Sequence, residues 1–172
     1  MKFILLVTHA DDELVNMAHF LLKEDSSCIL VTGGDEGRQV KFVNVMEEFN
    51  KDYIILPFTP DYLLSYDRDF VYNSIKERVE ELLCWNELGS QLVVPSTFDT
   101  HPEHLLVSAI GCRIVGENPE EIPGVFSTSR NLERKKVKVP NKLDLLSKYY
   151  PGEAKNLIKT IELTKWEYHS GY

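Results

Sequence analysis

Phe3-Ile4-Leu5-Leu6-Val7-Thr8, followed at once by His9-Ala10-Asp11-Asp12-Glu13, decides how the rest of the chain is read. Five apolar residues in succession, without polar alternation, mark a strand buried on both faces. Such strands belong to parallel sheets covered by helices. The pattern then repeats outward. Asp12–Lys23 reads as a helix with Leu14, Ala18, Leu21 and Leu22 on one face, and Cys28–Thr32 as a second strand ended by Gly33-Gly34. Gly37–Asn50 reads as a helix with Val40, Val43 and Phe49 facing inward. Tyr53–Leu56 reads as a strand stopped by Pro57 and Pro60. Asp67–Leu88 carries Val71, Ile75, Val79, Leu82 and Leu83 at helical spacing and meets its stop at Gly89. Gln91–Val94 is a fourth strand, and His101–Val115 a helix with Leu105, Ile110 and Ile114 in its stripe. Gly124–Ser129 and Lys136–Val139 read as short strands, and helices over Lys142–Tyr149 and Glu153–Trp166 close the chain.

Strands alternating with helices predict an α/β architecture: a three-layer, Rossmann-like sandwich, mostly parallel, with helices on both faces of the sheet. The 172 residues fit one domain spanning 1–172. An apolar share of 43% with 27% charged residues excludes disordered and collagen-like chains. No apolar run is long enough to cross a bilayer, and the first residues do not read as a secretory signal. Three scattered cysteines argue against a disulfide framework, so a reducing cytoplasm is the expected compartment. A formal net charge of -8 disfavours direct binding to nucleic-acid phosphates. Nothing in the sequence bears on oligomeric state.

Ligands of open α/β sheets bind beyond the carboxyl ends of the strands. Two clusters fall there: His9 with Asp11, Asp12 and Glu13 after the first strand, and His101 with His104 after the fourth. Two histidines and a carboxylate form a common catalytic zinc set with one position left open. Each cluster also has a plainer reading. Asp11 or Asp12 suits a helix cap, and His101 and His104 suit a solvated helix start. Their joint occurrence at one sheet edge favours the metal site. Gly33-Gly34-Asp35-Glu36-Gly37 is expected to border the cleft as a turn rather than cradle a phosphate, because Asp35 and Glu36 repel anions. The basic run Arg134, Lys135, Lys136 and Lys138 reads as an exposed edge strand. Trp85 and Trp166 are expected to pack at helix ends, and Tyr149 and Tyr150 to pack at a helix-to-helix turn. His19 reads as a helix-surface residue and His169 as a tail residue.

His9-Ala10-Asp11-Asp12-Glu13 resembles the His-Pro-Asp-Asp-Glu motif of the PIG-L/LmbE-like zinc-dependent N-deacetylases. His101-Pro102-Glu103-His104 resembles the same family's His-x-x-His motif. Thr32-Gly33-Gly34 and the helix from Arg38 through Val45 to Phe49 are similar to the family's middle segment. The resemblance implies that His9, Asp12 and His104 hold Zn2+, with another divalent metal such as Fe2+ as the alternative. It implies that Asp11 is the general base, that His101 stabilises the oxyanion or protonates the leaving amine, and that Arg38 binds substrate. The implied activity is hydrolysis of an acyl group, expected to be acetyl, from an N-acylated sugar or related small molecule. A non-catalytic metal- or small-molecule-binding module of the same fold is the alternative. The chain departs from the family pattern at Ala10 (for Pro), Glu103 (for Asp) and Lys41 (for Glu). Phe98, Asp99 and Thr100 occupy the stretch where some members carry a Tyr. A phosphorylation receiver domain would need an Asp after the third strand, where Pro57-Phe58-Thr59 stands, and has no use for His101 and His104.

Overall fold

A computed structural model describes residues 2–84, 90–96, 100–117, 124–128, 135–157 and 166–171. The strands are β1 (Lys2–Val7), β2 (Ser26–Leu30), β3 (Asp52–Ile55), β4 (Ser90–Pro95), β5 (Gly124–Thr128), β6 (Lys135–Lys138) and β7 (Trp166–Gly171). The helices are α1 (Asp12–Val15), α2 (Ala18–Leu21), α3 (Glu36–Glu48), α4 (Arg68–Cys84), α5 (Pro102–Glu117), α6 (Lys142–Tyr149) and α7 (Pro151–Leu157), with a 3-10 helix over Pro60–Ser65.

The seven strands form one sheet in the order β3-β2-β1-β4-β5-β7-β6. The first five are mutually parallel, and β7 runs antiparallel to both β5 and β6. Alternate residues of each strand enter opposite cores, as the twofold period of a strand requires. Ile4, Leu6, Ile29, Val31, Leu92 and Val94 pack against α4 and α5. Leu5, Val7, Cys28, Leu30 and Val93 pack against α1–α3, α6 and α7. Every residue of Ile4–Val7 is fully buried, and each such side chain contributes about 1.5–3 kcal/mol. That burial explains why the run lacks polar alternation, and the three-layer α/β expectation is met.

Strand order reverses at β1, which has β2 on one side and β4 on the other. The crevice beyond the carboxyl ends of β1 and β4 is therefore the switch point of the sheet. Close seating of α5 on β4 depends on Gly111, where an added Cβ would lie 2.3 Å from Val94 Cγ1. That approach brings the first turn of α5 to the end of β1.

Several expectations are corrected. The helix expected over Asp12–Lys23 is two short helices. The Met17 N–H reaches back to the Asp12 carbonyl, and Asn16 turns its amide onto the Asp12 carboxylate, which ends the first helix. Val40 points outward at 60% exposure, because the buried face of α3 is Phe42, Val45 and Met46. Asp67 precedes α4 rather than opening it, and its Oδ1 caps the helix by accepting from the Phe70 N–H at 2.9 Å. The last helix begins at Pro151, and Trp166 opens strand β7 instead of ending a helix; His169 lies in that strand too. The expected helix over residues 158–165 lies outside the described residues, as do Trp85, Phe98, Asp99, Ser129 and Arg134. Lys135–Lys138 does form the edge strand.

Candidate metal centre and cleft

The segment after β1 delivers His9, Asp11 and Asp12 to the crevice, and His101, just before α5, and His104, in its first turn, meet them there. Three of these side chains converge. His104 Nε2 lies 3.1 Å from His9 Nδ1 and 3.1 Å from Asp12 Oδ2, and His9 Nδ1 lies 3.6 Å from that same oxygen. Asp12 and His104 are buried. A tetrahedral cation with bonds of about 2.0–2.1 Å needs ligand separations of about 3.3–3.4 Å. The observed edges of 3.1, 3.1 and 3.6 Å bracket that range, so the donor set is compatible with a divalent metal.

Asp12 is held from several sides. Its Oδ1 accepts from the Asn16 amide at 2.8 Å, and its Oδ2 accepts from the His9 N–H at 2.9 Å. Burial pushes its carboxyl upward. The charge and hydrogen bonds of His104 and His9 outweigh burial and hold it well below the usual range.

Asp11 behaves differently from its neighbour. It precedes α1 with φ 138° and ψ -28°, and its side chain makes no capping bond, which removes the plain capping role for this residue. Such a backbone costs a non-glycine residue on the order of 1–3 kcal/mol. Its N–H donates to Glu13 Oε2 at 2.9 Å. Burial, reinforced by the charges of Asp12 and Glu13 against that of Arg38, pushes its carboxyl up to about 8. Glu13 is wholly buried and is pushed up to about 7 by that burial, against the pull of its bonds from the Tyr150 hydroxyl and the Asp11 N–H. Burial and the Glu13 carboxylate push the Tyr150 phenol up.

His101 is exposed at the mouth of the site. Its ring centroid lies 5.2 Å from that of His104 and 6.4 Å from that of His9. Arg38 stands in the first turn of α3. Its N–H donates to Asp35 Oδ1 at 3.1 Å, and its Nε lies 3.9 Å from Asp35 Oδ2. Lys41 sits elsewhere, its ammonium 5.9 Å from the centroid of the Tyr150 ring. His9, Asp11, Asp12, Arg38, His101 and His104 all line one open cleft of about 800 Å³, which Gly34 and Asp35 also border. All six residues singled out from the sequence are thus brought together.

Three further residues that support the site were not assigned to it from the sequence. Asn16 follows Asp12 by four positions, one helical turn, and that spacing was a usable signal. Tyr150 stands 137 residues from Glu13, its partner at 2.5 Å, with no local pattern to link them. Lys142 is fully buried and donates to the Val15 carbonyl, a position the sequence marks only as a helix start.

No protein-family model matches the sequence, and no curated protein matches it. Solved structures do match in fold. A triple mutant (Orf2*T) of a deacetylase in the teicoplanin biosynthetic pathway aligns over 100% of this chain and 99% of its own, at 9% identity and TM-score 0.66. The conserved protein TT1542 from Thermus thermophilus aligns over 98% and 93%, at 13% identity and TM-score 0.70. The zinc inhibited form of teicoplanin deacetylase Orf2 aligns over 100% and 99%, at 6% identity and TM-score 0.62. The chain therefore shares the overall fold of these solved structures.

Proposed function

We propose that the chain, read as one domain over 1–172, is a metal-dependent amide hydrolase that removes an acetyl group from an N-acylated sugar or related small molecule. The observation that carries this reading is the His9–Asp12–His104 triangle, with Asp11 beside it in an open cleft. When bound there, a divalent cation, Zn2+ or alternatively Fe2+, supplies a Lewis acid and lowers the pKa of water to about 7.

The remaining chemistry belongs to the side chains. Asp11, raised by burial, accepts the proton of the attacking water. His101, across the cleft mouth, donates a hydrogen bond to the carbonyl oxygen as charge develops on it, and then a proton to the nitrogen that leaves. A C–O bond forms, the C–N bond breaks, and carboxylate and amine are the products. Arg38 holds a polar part of the substrate. Among the described lining residues, Arg38 is the single guanidinium, while Asp35, Asp61, Glu103 and Glu153 add negative charge to the cleft, so polyanionic substrates are disfavoured. Among the described residues no helix is long and apolar enough to cross a membrane. A cytoplasmic setting is our reading from the three scattered cysteines, of which Cys28 is buried.

The test is metal titration of the purified, metal-stripped chain, followed by a free-amine assay on a panel of N-acetylated sugars. Metal is raised from zero, because one fold neighbour is described as zinc inhibited. The expected result is one equivalent bound, amine released, and both lost in His104→Ala. Binding without amine release across the panel would favour a binding module, and absence of binding would defeat the reading.

A further inference from the structure

The backbone of Asp11 lies where residues with side chains rarely go, and one side chain faces its peptide. Glu13 Oε2 accepts the Asp11 N–H at 2.9 Å, while Oε1 of the same carboxylate accepts the Tyr150 hydroxyl at 2.5 Å. Glu13 is fully buried, and neither of its oxygens belongs to the metal triangle. Tyr150 is itself fixed at the junction of α6 and α7. Its N–H donates to the Leu146 carbonyl at 2.8 Å, and its carbonyl accepts from the Ala154 N–H at 2.9 Å. The same helix pair grips the other end of α1, where buried Lys142 donates to the Val15 carbonyl. A hydrogen-bonded chain thus runs from the α6–α7 corner through Glu13 to the peptide of Asp11.

We propose that Glu13 and Tyr150 are positioning residues, which lock the Asp11 peptide in its left-handed conformation so that its carboxylate faces the cleft. The proposal rests on the reading of Asp11 as proton acceptor. Released from Glu13, the peptide relaxes to negative φ, and rotation about N–Cα swings the carboxylate away. Asp12 keeps its own supports from Asn16 and the His9 N–H, so metal binding is spared.

The experiment compares Glu13→Ala, Glu13→Gln and Tyr150→Phe for kcat, KM and bound metal. Misplacing a reacting group by about 1 Å costs on the order of a hundredfold. Glu13→Ala is expected to lose about that much in kcat, with KM and metal content kept. Glu13→Gln, whose amide oxygen still accepts the Asp11 N–H and whose NH2 faces Tyr150, is expected to stay within about fivefold of the parent, since the geometry is preserved. Tyr150→Phe is expected to fall between them. It carries the test if the alanine variant does not fold. Parental kcat in Glu13→Ala, equal damage in Glu13→Gln, or joint loss of metal and activity would overturn the proposal. If the parent cleaves no amide, the functional reading fails. Crystal structures of Glu13→Ala and Tyr150→Phe then decide this inference alone: Asp11 at negative φ supports it, and Asp11 at its parental φ overturns it.

Discussion

Asn16 donates its side-chain amide to Oδ1 of Asp12 at 2.8 Å and so leaves Oδ2 to face His9 and His104. One carboxylate is thereby divided between a support and a metal position. Supports of this kind typically contribute about 10–100-fold to metal affinity. Asn16→Ala is expected to weaken binding by that factor, read by titration against a competing chelator. Asn16→Asp should be worse, because it sets a second buried carboxylate against Asp12. Unchanged affinity in both variants would show that Asp12 needs no help from Asn16.

Asp11 and Asp12 are adjacent yet face opposite electrostatic situations. Histidine contacts pull Asp12 down, whereas burial and neighbouring carboxylates push Asp11 up. The first environment suits a ligand and the second a proton acceptor. Asp11→Asn is expected to keep its metal and lose about a hundredfold or more in kcat, on general-base magnitudes. Loss of metal together with activity would mean that the two aspartates exchange roles.

Much of this was readable from local pattern, and the remainder depends on contacts between distant segments. The unbroken apolar run of β1 announces a strand buried on both faces, and the residues beyond its end become the site by topology alone. The same logic finds His101 and His104 after β4. The C-terminal segment defeats it. Trp166-Glu167-Tyr168-His169 alternates as a strand should, but helical spacing upstream carries the reading across it. Val40 misleads because the buried stripe of α3 is carried by Phe42, Val45 and Met46, and an exposed valine on a surface helix leaves no mark in the sequence. The Glu13–Tyr150 bond joins residues 137 apart, and no periodicity encodes such a pair.

His101 and His104 stand three residues apart at the start of α5, on neighbouring positions of one helix face. Only His104 enters the triangle, and His101 stays exposed at the cleft mouth. His101→Ala is expected to retain one metal per chain and to lower kcat by about a hundred- to a thousandfold, the usual cost of losing one oxyanion donor. Near-parental turnover on any amide the parent cleaves would remove His101 from the chemistry.

Gly111 links the packing of the fold to the geometry of the site. It lies two helical turns after His104 on the face of α5 that meets β4, and a Cβ there would come within 2.3 Å of Val94 Cγ1 and 3.5 Å of Leu6 Cδ1. Val94 is wholly buried in a central strand and has no room to yield, so the helix must move instead. Overpacking of this kind costs about 1–3 kcal/mol. A shift of α5 also carries His104 away from His9 and Asp12, whose separations of 3.1–3.6 Å leave little slack for a shared cation. Gly111→Ala is therefore expected to lower the thermal midpoint of the metal-free chain and, separately, to weaken metal affinity although the substitution touches no ligand. Calorimetry of the stripped protein reads the first effect and competitive metal titration the second. A destabilised variant with parental affinity would show that α5 yields locally around residue 111 and that its first turn is held by other contacts.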